Sequence, residues 1–282
     1  MKKITTILLL FVLAVVFSNS FAATDYTQYA NCSFGYLFTS DHSPGTTITD
    51  SSPNGLNGVA EGAEAPDWLN TSPAKAYSGG YVDFTDDYIT VSSGLLYNTY
   101  QTLVWWGEPI PTDNDRAFQY NCSSNSTYRW QVYRHDTSDA LAYQFNNSTT
   151  DNIRGTTALS GLSGWQHFGI TVDLTQTDNN RAIIYINGVA QSESSIAGTY
   201  SNGQGNSDTL YIGQRGDGAA SLDNVDMDEI AYFSGFLSST EINDIMDNGL
   251  KQIVVAGVTI GFAGHGYVID TSSGTMGFGY AN

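Results

Sequence analysis

From about residue 30 to about residue 235 the chain is written in short apolar or alternating runs, separated by clusters of Gly, Asn, Asp, Ser and Thr. Helical periodicity is almost absent there, so the runs can bury a face only as strands, and many short strands mean a sandwich or a barrel. The candidate strands are Gly80–Phe84, Tyr88–Val91, Thr102–Trp106, Arg116–Asn121, Tyr128–Tyr133, Ala140–Phe145, Trp165–Asp173, Arg181–Ile186, Thr209–Ile212 and Asp226–Phe233. Asn-Gly in Ile186-Asn187-Gly188-Val189 predicts a type I′ hairpin, and Asp86-Asp87 between two alternating runs predicts a second antiparallel hairpin. One helix is expected near 239–248. Ser238-Ser239-Thr240-Glu241 has capping-box spacing, Ile242, Ile245 and Met246 recur at helical intervals, and Gly249 follows as a stop.

The ends set the compartment. Lys2 and Lys3 precede an apolar run from Ile4 to Phe17, and Ser20-Phe21-Ala22 presents small residues where a signal peptidase cuts. Residues 1–22 therefore read as a cleaved leader, and the protein as secreted or displayed on the extracellular surface. No stretch reaches the roughly 18 apolar residues a membrane helix needs. Residues 23–250 form one sandwich domain, and 251–282 a Gly-rich β tail that either docks on it or serves as an edge for self-assembly. Ten Lys and Arg stand against 28 Asp and Glu, a net charge of −18. Such a surface repels nucleic acid and anionic membranes and favours divalent cations. Cys32 and Cys122 both lie in the exported part, where they could pair as a disulfide or remain two buried thiols.

An ordered series of local features resembles the laminin G-like domains of the concanavalin A-like lectin and glucanase superfamily, across about residues 34–249. Asp50-Ser51-Ser52-Pro53-Asn54-Gly55-Leu56-Asn57-Gly58 is similar to the family's early turn, with Pro53 where Gly is usual. Tyr81 to Val91 resembles its Phe-Asp-Gly-x-Asp-Asp-Tyr-Val segment, and Thr102-Leu103-Val104-Trp105-Trp106 its Thr-Ile-x-x-Trp strand. Trp165 to Asp173 and Tyr185-Ile186-Asn187-Gly188-Val189 follow in the family's order. Leu210-Tyr211-Ile212-Gly213, Met227-Asp228-Glu229-Ile230-Ala231-Tyr232-Phe233 and Leu237-Ser238-Ser239-Thr240-Glu241-Ile242 complete it. The resemblance implies an all-β, two-sheet antiparallel jelly-roll sandwich.

It also implies a structural calcium near the last strand, where Asp223, Asp226 and Asp228 stand. Strand alternation puts Asp226 and Asp228 on one face, and hard carboxylate oxygens suit calcium. Five Trp and eighteen Tyr exceed what a core of this size needs, and aromatic faces are what a sugar ring stacks on. The candidate ligand-binding residues are Trp106, Tyr120, Tyr128, Trp130, Tyr133 and Tyr143, with Trp68 expected exposed in the polar loop around Ala65–Asn70. A retaining glycosidase of this fold needs two carboxylates about 5–5.5 Å apart in its cleft. Asp226-Met227-Asp228-Glu229 has the period but belongs to the family's Asp-Glu block. The expectation is therefore a recognition module rather than an enzyme, with a structural calcium, binding carbohydrate or a surface glycoprotein. The alternatives are an assembly protein working through its tail, or a glycoside hydrolase.

Overall fold

The computed structural model describes residues 25–38, 46–62, 67–69, 80–85, 87–92, 98–110, 116–121, 128–135, 138–145, 152–176, 181–191, 194–196, 209–214 and 222–250. The leader, Cys122 and the tail lie outside these residues. The strands are β1 (Cys32–Tyr36), β2 (Thr47–Ile48), β3 (Gly58–Glu61), β4 (Asp67–Leu69), β5 (Tyr81–Thr85), β6 (Tyr88–Ser92), β7 (Tyr100–Gly107), β8 (Arg116–Asn121) and β9 (Tyr128–His135). They continue with β10 (Ala140–Phe145), β11 (Asn152–Ala158), β12 (Gln166–Asp173), β13 (Ala182–Ile186), β14 (Val189–Ala190), β15 (Ser194–Ile196), β16 (Thr209–Ile212) and β17 (Asp223–Phe233), followed by helix α1 (Ser239–Asn248).

Two antiparallel sheets result. The eight-stranded sheet runs β14-β13-β12-β7-β17-β5-β4, with β1 also paired to β17, and the nine-stranded sheet runs β15-β11-β10-β9-β8-β16-β6-β3-β2. Both turn alternate residues into one core, which holds Leu103, Trp105, Phe168, Met227 and Tyr232 from the first sheet and Ile89, Phe118, Trp130, Tyr143 and Leu210 from the second. Rings stack through this core. Trp130 lies between Tyr143 and Tyr232, at centroid separations of 5.9 and 6.0 Å, and Tyr232 continues to Phe34 at 6.1 Å.

The ten expected strands form, within three residues of their ends, and the type I′ turn forms with Asn187 at φ 49° and Gly188 at φ 74°. The hairpin expected at Asp86-Asp87 does not. β5 pairs with β17 and β4, whereas β6 pairs with β16 and β3, so the chain crosses there from one sheet to the other. Val82 and Phe84 on one side of the crossing, and Ile89 and Val91 on the other, reach the same core from opposite sheets. Alternation is indifferent to that choice.

The helix begins and ends where the sequence places it. Ser238 Oγ accepts the Glu241 N–H at 3.3 Å, and Glu241 Oε2 accepts the Ser238 N–H at 2.7 Å. Ile242 and Ile245 press on the outer face of the eight-stranded sheet, with Tyr26, Cys32, Val104, Tyr185, Phe233 and Leu250 in the same cluster. Gly169 permits the approach, because a Cβ there would stand 3.3 Å from Ile242 Cγ2.

The disulfide between Cys32 and Cys122 is not formed, since Cys32 is a free, buried thiol. Its strand belongs to the eight-stranded sheet and its side chain packs outward into the helix cluster, whereas β8, which ends just before Cys122, belongs to the other sheet. Burial, reinforced by Asp50 and Asp25, pushes the thiol well above its ordinary range and keeps it protonated and unreactive.

The early turn carries a buried carboxylate. Asp50 accepts the N–H groups of Gly35, Ser52 and Leu56, each at 2.8 Å, and the Ser52 hydroxyl at 2.7 Å. This charge-assisted set ties β1 to the loop that follows β2.

Trp130 stacks on two aromatic rings in the middle of the core, so Trp130→Ala is expected to cost about 3–5 kcal/mol of stability, measured by denaturant unfolding. A loss below about 1 kcal/mol would contradict the packing described.

Candidate functional site

The two outer faces of the sandwich differ. That of the eight-stranded sheet is largely covered by the apolar helix cluster, leaving an acidic corner where β17, β5 and β7 meet. That of the nine-stranded sheet carries polar and aromatic side chains.

The polarity of the second face follows from alternation. In β9, Trp130 and Val132 enter the core, so Gln131, Tyr133 and His135 face outward; in β10, Leu141 and Tyr143 enter, so Gln144 faces outward. β16 turns Tyr211 outward between core Leu210 and Ile212, and β6 turns Tyr88 and Thr90 outward around Ile89. Arg154 of β11 lies on the same face beside Ile153.

Pairing brings these positions together. Gln131 is in register with Gln144, and Gln131 Nε2 donates to Gln144 Oε1. Tyr133 is in register with Ala142, which is in turn opposite Arg154, and the rings of Tyr133 and His135 lie 6.0 Å apart. Tyr211 and Tyr88 form a tilted pair at 6.0 Å.

Exposure grades along the face. Gln131 and Gln144 are only 2% and 6% exposed although neither points into the core, whereas Tyr88, Thr90, Tyr211 and Arg154 are half-buried. Burial, with Glu61 and Tyr211 adding to it, holds the Tyr88 hydroxyl above its ordinary range, so it remains a neutral donor and acceptor. Paired amides, tyrosine and histidine together offer donors and acceptors beside aromatic surface, the combination that orients a hydroxyl-rich ligand.

The expected ligand-binding residues divide. Tyr133 lies on the polar face, nearly buried. Trp106 is half-buried on the outer face of the opposite sheet, 5.2 Å from the His167 ring, and cannot share a site with Tyr133. Trp130 and Tyr143, 1% and 2% exposed, are core residues, which removes both as ligand contacts; the alternation that turns Gln131 and Gln144 outward turns these two inward. Trp68 lies in the edge strand β4 rather than in a loop, opposite Val82, while Tyr120 and Tyr128 pair with Trp130 and Asn121. The side chains of Trp68, Tyr120 and Tyr128 lie outside the described residues.

Sequence reasoning missed Gln131, Gln144, His135, Tyr211 and Tyr88. The signal was present in Trp130-Gln131-Val132 and Tyr143-Gln144-Phe145, where an amide interrupts large apolar residues at the outward position of neighbouring strands.

At the acidic corner, Asp226 and Asp228 do share a face of β17. The side chain of Asp223 lies outside the described residues, and among those described no three His, Cys, Asp or Glu side chains are placed to hold a metal ion. Asp228 Oδ1 already accepts the Glu229 N–H at 2.8 Å. The described carboxylates thus do not by themselves make a calcium site. Burial, then the neighbouring charges of Asp83 and Glu108, push the Asp226 carboxyl up to about 7.

Because the folded chain holds that proton more tightly than the unfolded one, the associated stability is full below about pH 4 and is lost as pH rises through about 7. Asp226→Asn is expected to flatten this part of the pH–stability curve. It should raise stability at pH 8 by on the order of 1 kcal/mol, after allowance for solvent screening of a half-buried group. Thermal melts of both proteins from pH 4 to 8 check it, and parallel curves would contradict the assignment.

Comparison with known proteins adds three findings. A family model of the concanavalin A-like lectin/glucanases superfamily, of laminin G type, matches residues 83–243. No curated protein matches the sequence. Among solved structures the chain is similar to domain 4 of a GH43 extracellular arabinanase from Geobacillus stearothermophilus in complex with arabinotriose, with TM-score 0.56 and 16% identity, covering 77% of this chain and 98% of that one. It is also similar to Trypanosoma rangeli sialidase in complex with the inhibitor DANA (0.52, 14%, 75% of this chain and 32% of that one). A third is the binding domain of botulinum neurotoxin DC in complex with SialylT (0.51, 14%, 79% and 52%). The chain thus spans about a third of the sialidase and about half of the toxin domain.

Proposed function

We propose that this chain, which belongs to the concanavalin A-like lectin/glucanases superfamily, is an exported carbohydrate-binding module that holds its ligand on the outer face of the nine-stranded sheet. The observation that carries this reading is the in-register pair Gln131 and Gln144, turned away from the core yet nearly closed to solvent, with Tyr133, His135 and the Tyr88–Tyr211 pair on the same face. Paired amides with aromatic rings on the same face match the two demands of a sugar: hydroxyls that both donate and accept, and an apolar ring face. The likeness to an arabinanase domain solved with arabinotriose and to a toxin binding domain solved with SialylT supports a glycan, or the glycan of a surface glycoprotein, as ligand.

Binding is favoured over hydrolysis by where the carboxylates stand. A retaining glycosidase needs two of them flanking the bond it cleaves. Asp226 and Asp228 belong to β17, on the outer face of the other sheet. On the nine-stranded sheet, the register row containing Gln131 and Gln144 carries no carboxylate residue, and the described carboxylate on that face is Glu61, opposite Tyr88, a single group where a retaining enzyme needs two.

A glycan-array screen tests the reading, with Gln144→Ala and Trp106→Ala beside the unaltered protein. Binding that falls about tenfold or more in Gln144→Ala and persists in Trp106→Ala is expected, since loss of one well-placed hydrogen-bonding group costs roughly this much. Binding lost only in Trp106→Ala would move the site to the opposite sheet. No binding to any glycan by the folded protein would reject a carbohydrate function.

A further inference from the structure

Among the arginines whose side chains are described, Arg154 stands apart. Arg134 donates to the Asp139 carboxylate at 2.8 Å and to the Ile110 carbonyl at 3.1 Å, and Arg181 Nε donates to the Gln176 carbonyl at 2.9 Å. Arg154 Nε is closed to solvent and has no hydrogen-bond acceptor. The side chain as a whole is half-buried on the outer face of the nine-stranded sheet, and no carboxylate among the described residues pairs with it.

The register accounts for this. The partners of Arg154 on the two flanking strands are Ala142 and Ser194, and Tyr133 follows beyond Ala142. None of these positions carries an acid, and the described carboxylate on this face, Glu61 of β3, lies six strands away. Scarcity is not the cause, since 28 Asp and Glu stand against 10 Lys and Arg. A guanidinium keeps its charge at any physiological pH, and drawing it partly out of water without a counter-charge costs the fold free energy. In a chain so rich in carboxylates, that cost points to a counter-charge supplied from outside.

The surroundings of Arg154 restrict what can supply it. Gln144 stands diagonal to it, two residues along β10 from Ala142, at a backbone separation of about 7–8 Å. Tyr133 and His135 follow on β9. One sugar unit can therefore meet the amide with its hydroxyls and the guanidinium with an acid group. A guanidinium presents parallel N–H donors in one plane, the arrangement a carboxylate matches. The net charge of −18 repels anything more heavily charged before it arrives.

We infer that Arg154 takes the carboxylate of an acidic sugar unit within an otherwise neutral glycan, and so determines which glycans this face selects. The inference rests on the carbohydrate reading above and narrows its ligand class.

Titration calorimetry on the full protein tests it, with probes matched except for the acid group. Xylotriose is set against xylotriose bearing one glucuronic acid branch, and lactose against 3′-sialyllactose and 3′-sulfolactose. At least one carboxylate probe is expected to bind at least tenfold more tightly than its neutral partner at physiological salt, as a charge-assisted pair requires. Arg154→Gln should bring the two within about twofold, and Arg154→Lys, which keeps the charge but not the planar fork, should retain part of the preference. Because no described group pairs with the guanidinium, Arg154→Gln is expected to melt within about 2 °C of the unaltered protein, or above it. A larger fall in melting temperature would show that the fold itself uses Arg154, and would overturn the inference. So would equal affinity within both sets of probes, a preference that survives in Arg154→Gln, or tightest binding of the sulfate, each leaving the carbohydrate reading in place. No binding of any of these probes, together with a blank glycan array, would overturn both.

Discussion

β17 is hydrogen-bonded along both edges, to β7 on one side and to β5 and then β1 on the other, and the rest of the eight-stranded sheet is hung from it. It changes character midway. Between Asp228 and Ala231 the register shifts, with Glu229 at φ 47°, a conformation that costs a non-glycine residue about 1–2 kcal/mol. The buried Glu229 carboxylate accepts the Leu250 N–H at 3.0 Å, just past the end of α1, and the Leu250 carbonyl accepts the Tyr26 N–H at 2.8 Å. One irregular residue in the central strand thereby anchors the chain leaving the helix and, through it, the segment that precedes β1. Asp228-Glu229, a pair that in sequence could suggest catalytic carboxylates, is accounted for by this strand geometry: one caps the bulge and the other holds the end of the helix.

The bulge also divides the outer face of that sheet. Beyond it, Ala231 and Phe233 turn outward and are covered by Ile242 and Ile245 of the helix; before it, Asp226 and Asp228 turn outward with no apolar neighbour of that kind on their strand. Apolar covering on one half, and on the other an acidic corner beside Trp106 and His167 in which Asp83 and Glu108 act on Asp226, set this face apart from that of the nine-stranded sheet. The nine-stranded sheet has no described helix on its outer face, and its described outward residues include amides, tyrosines, a threonine, a histidine, an arginine and one carboxylate, Glu61 opposite Tyr88. The proposed placement of a ligand there rests on how the two sheets dispose of their second faces as much as on any one residue.

Much of this was legible in the sequence. The strands, the Asn187-Gly188 turn and the capped helix all rest on interactions between residues close in the chain, where sequence spacing is spatial spacing. What failed were questions of sheet membership and face. Tyr81 to Val91 alternates cleanly through Asp86-Asp87, and alternation reads the same whether two strands pair or pass to opposite sheets around one core. The disulfide failed on the question of face, because Cys32 turns to the outer side of its sheet, into the helix cluster and away from the sheet that holds β8. Aromatic residues were the other source of error: ranking them as ligand contacts took Trp130 and Tyr143 from the core, where their area contributes most, and passed over the glutamines between them.

Those glutamines are costly to leave unsatisfied. A buried amide without partners loses about 1–3 kcal/mol, and apolar residues at Gln131 and Gln144 would avoid that risk if the face served only to support the fold. One amide of the pair donates to the other. Pairing also fixes both side chains before any ligand arrives, so the ordering cost that a flexible side chain incurs on binding is already met in the folded protein. Setting the amides in register across hydrogen-bonded strands holds their spacing to that of the sheet itself, the most rigid ruler the fold possesses.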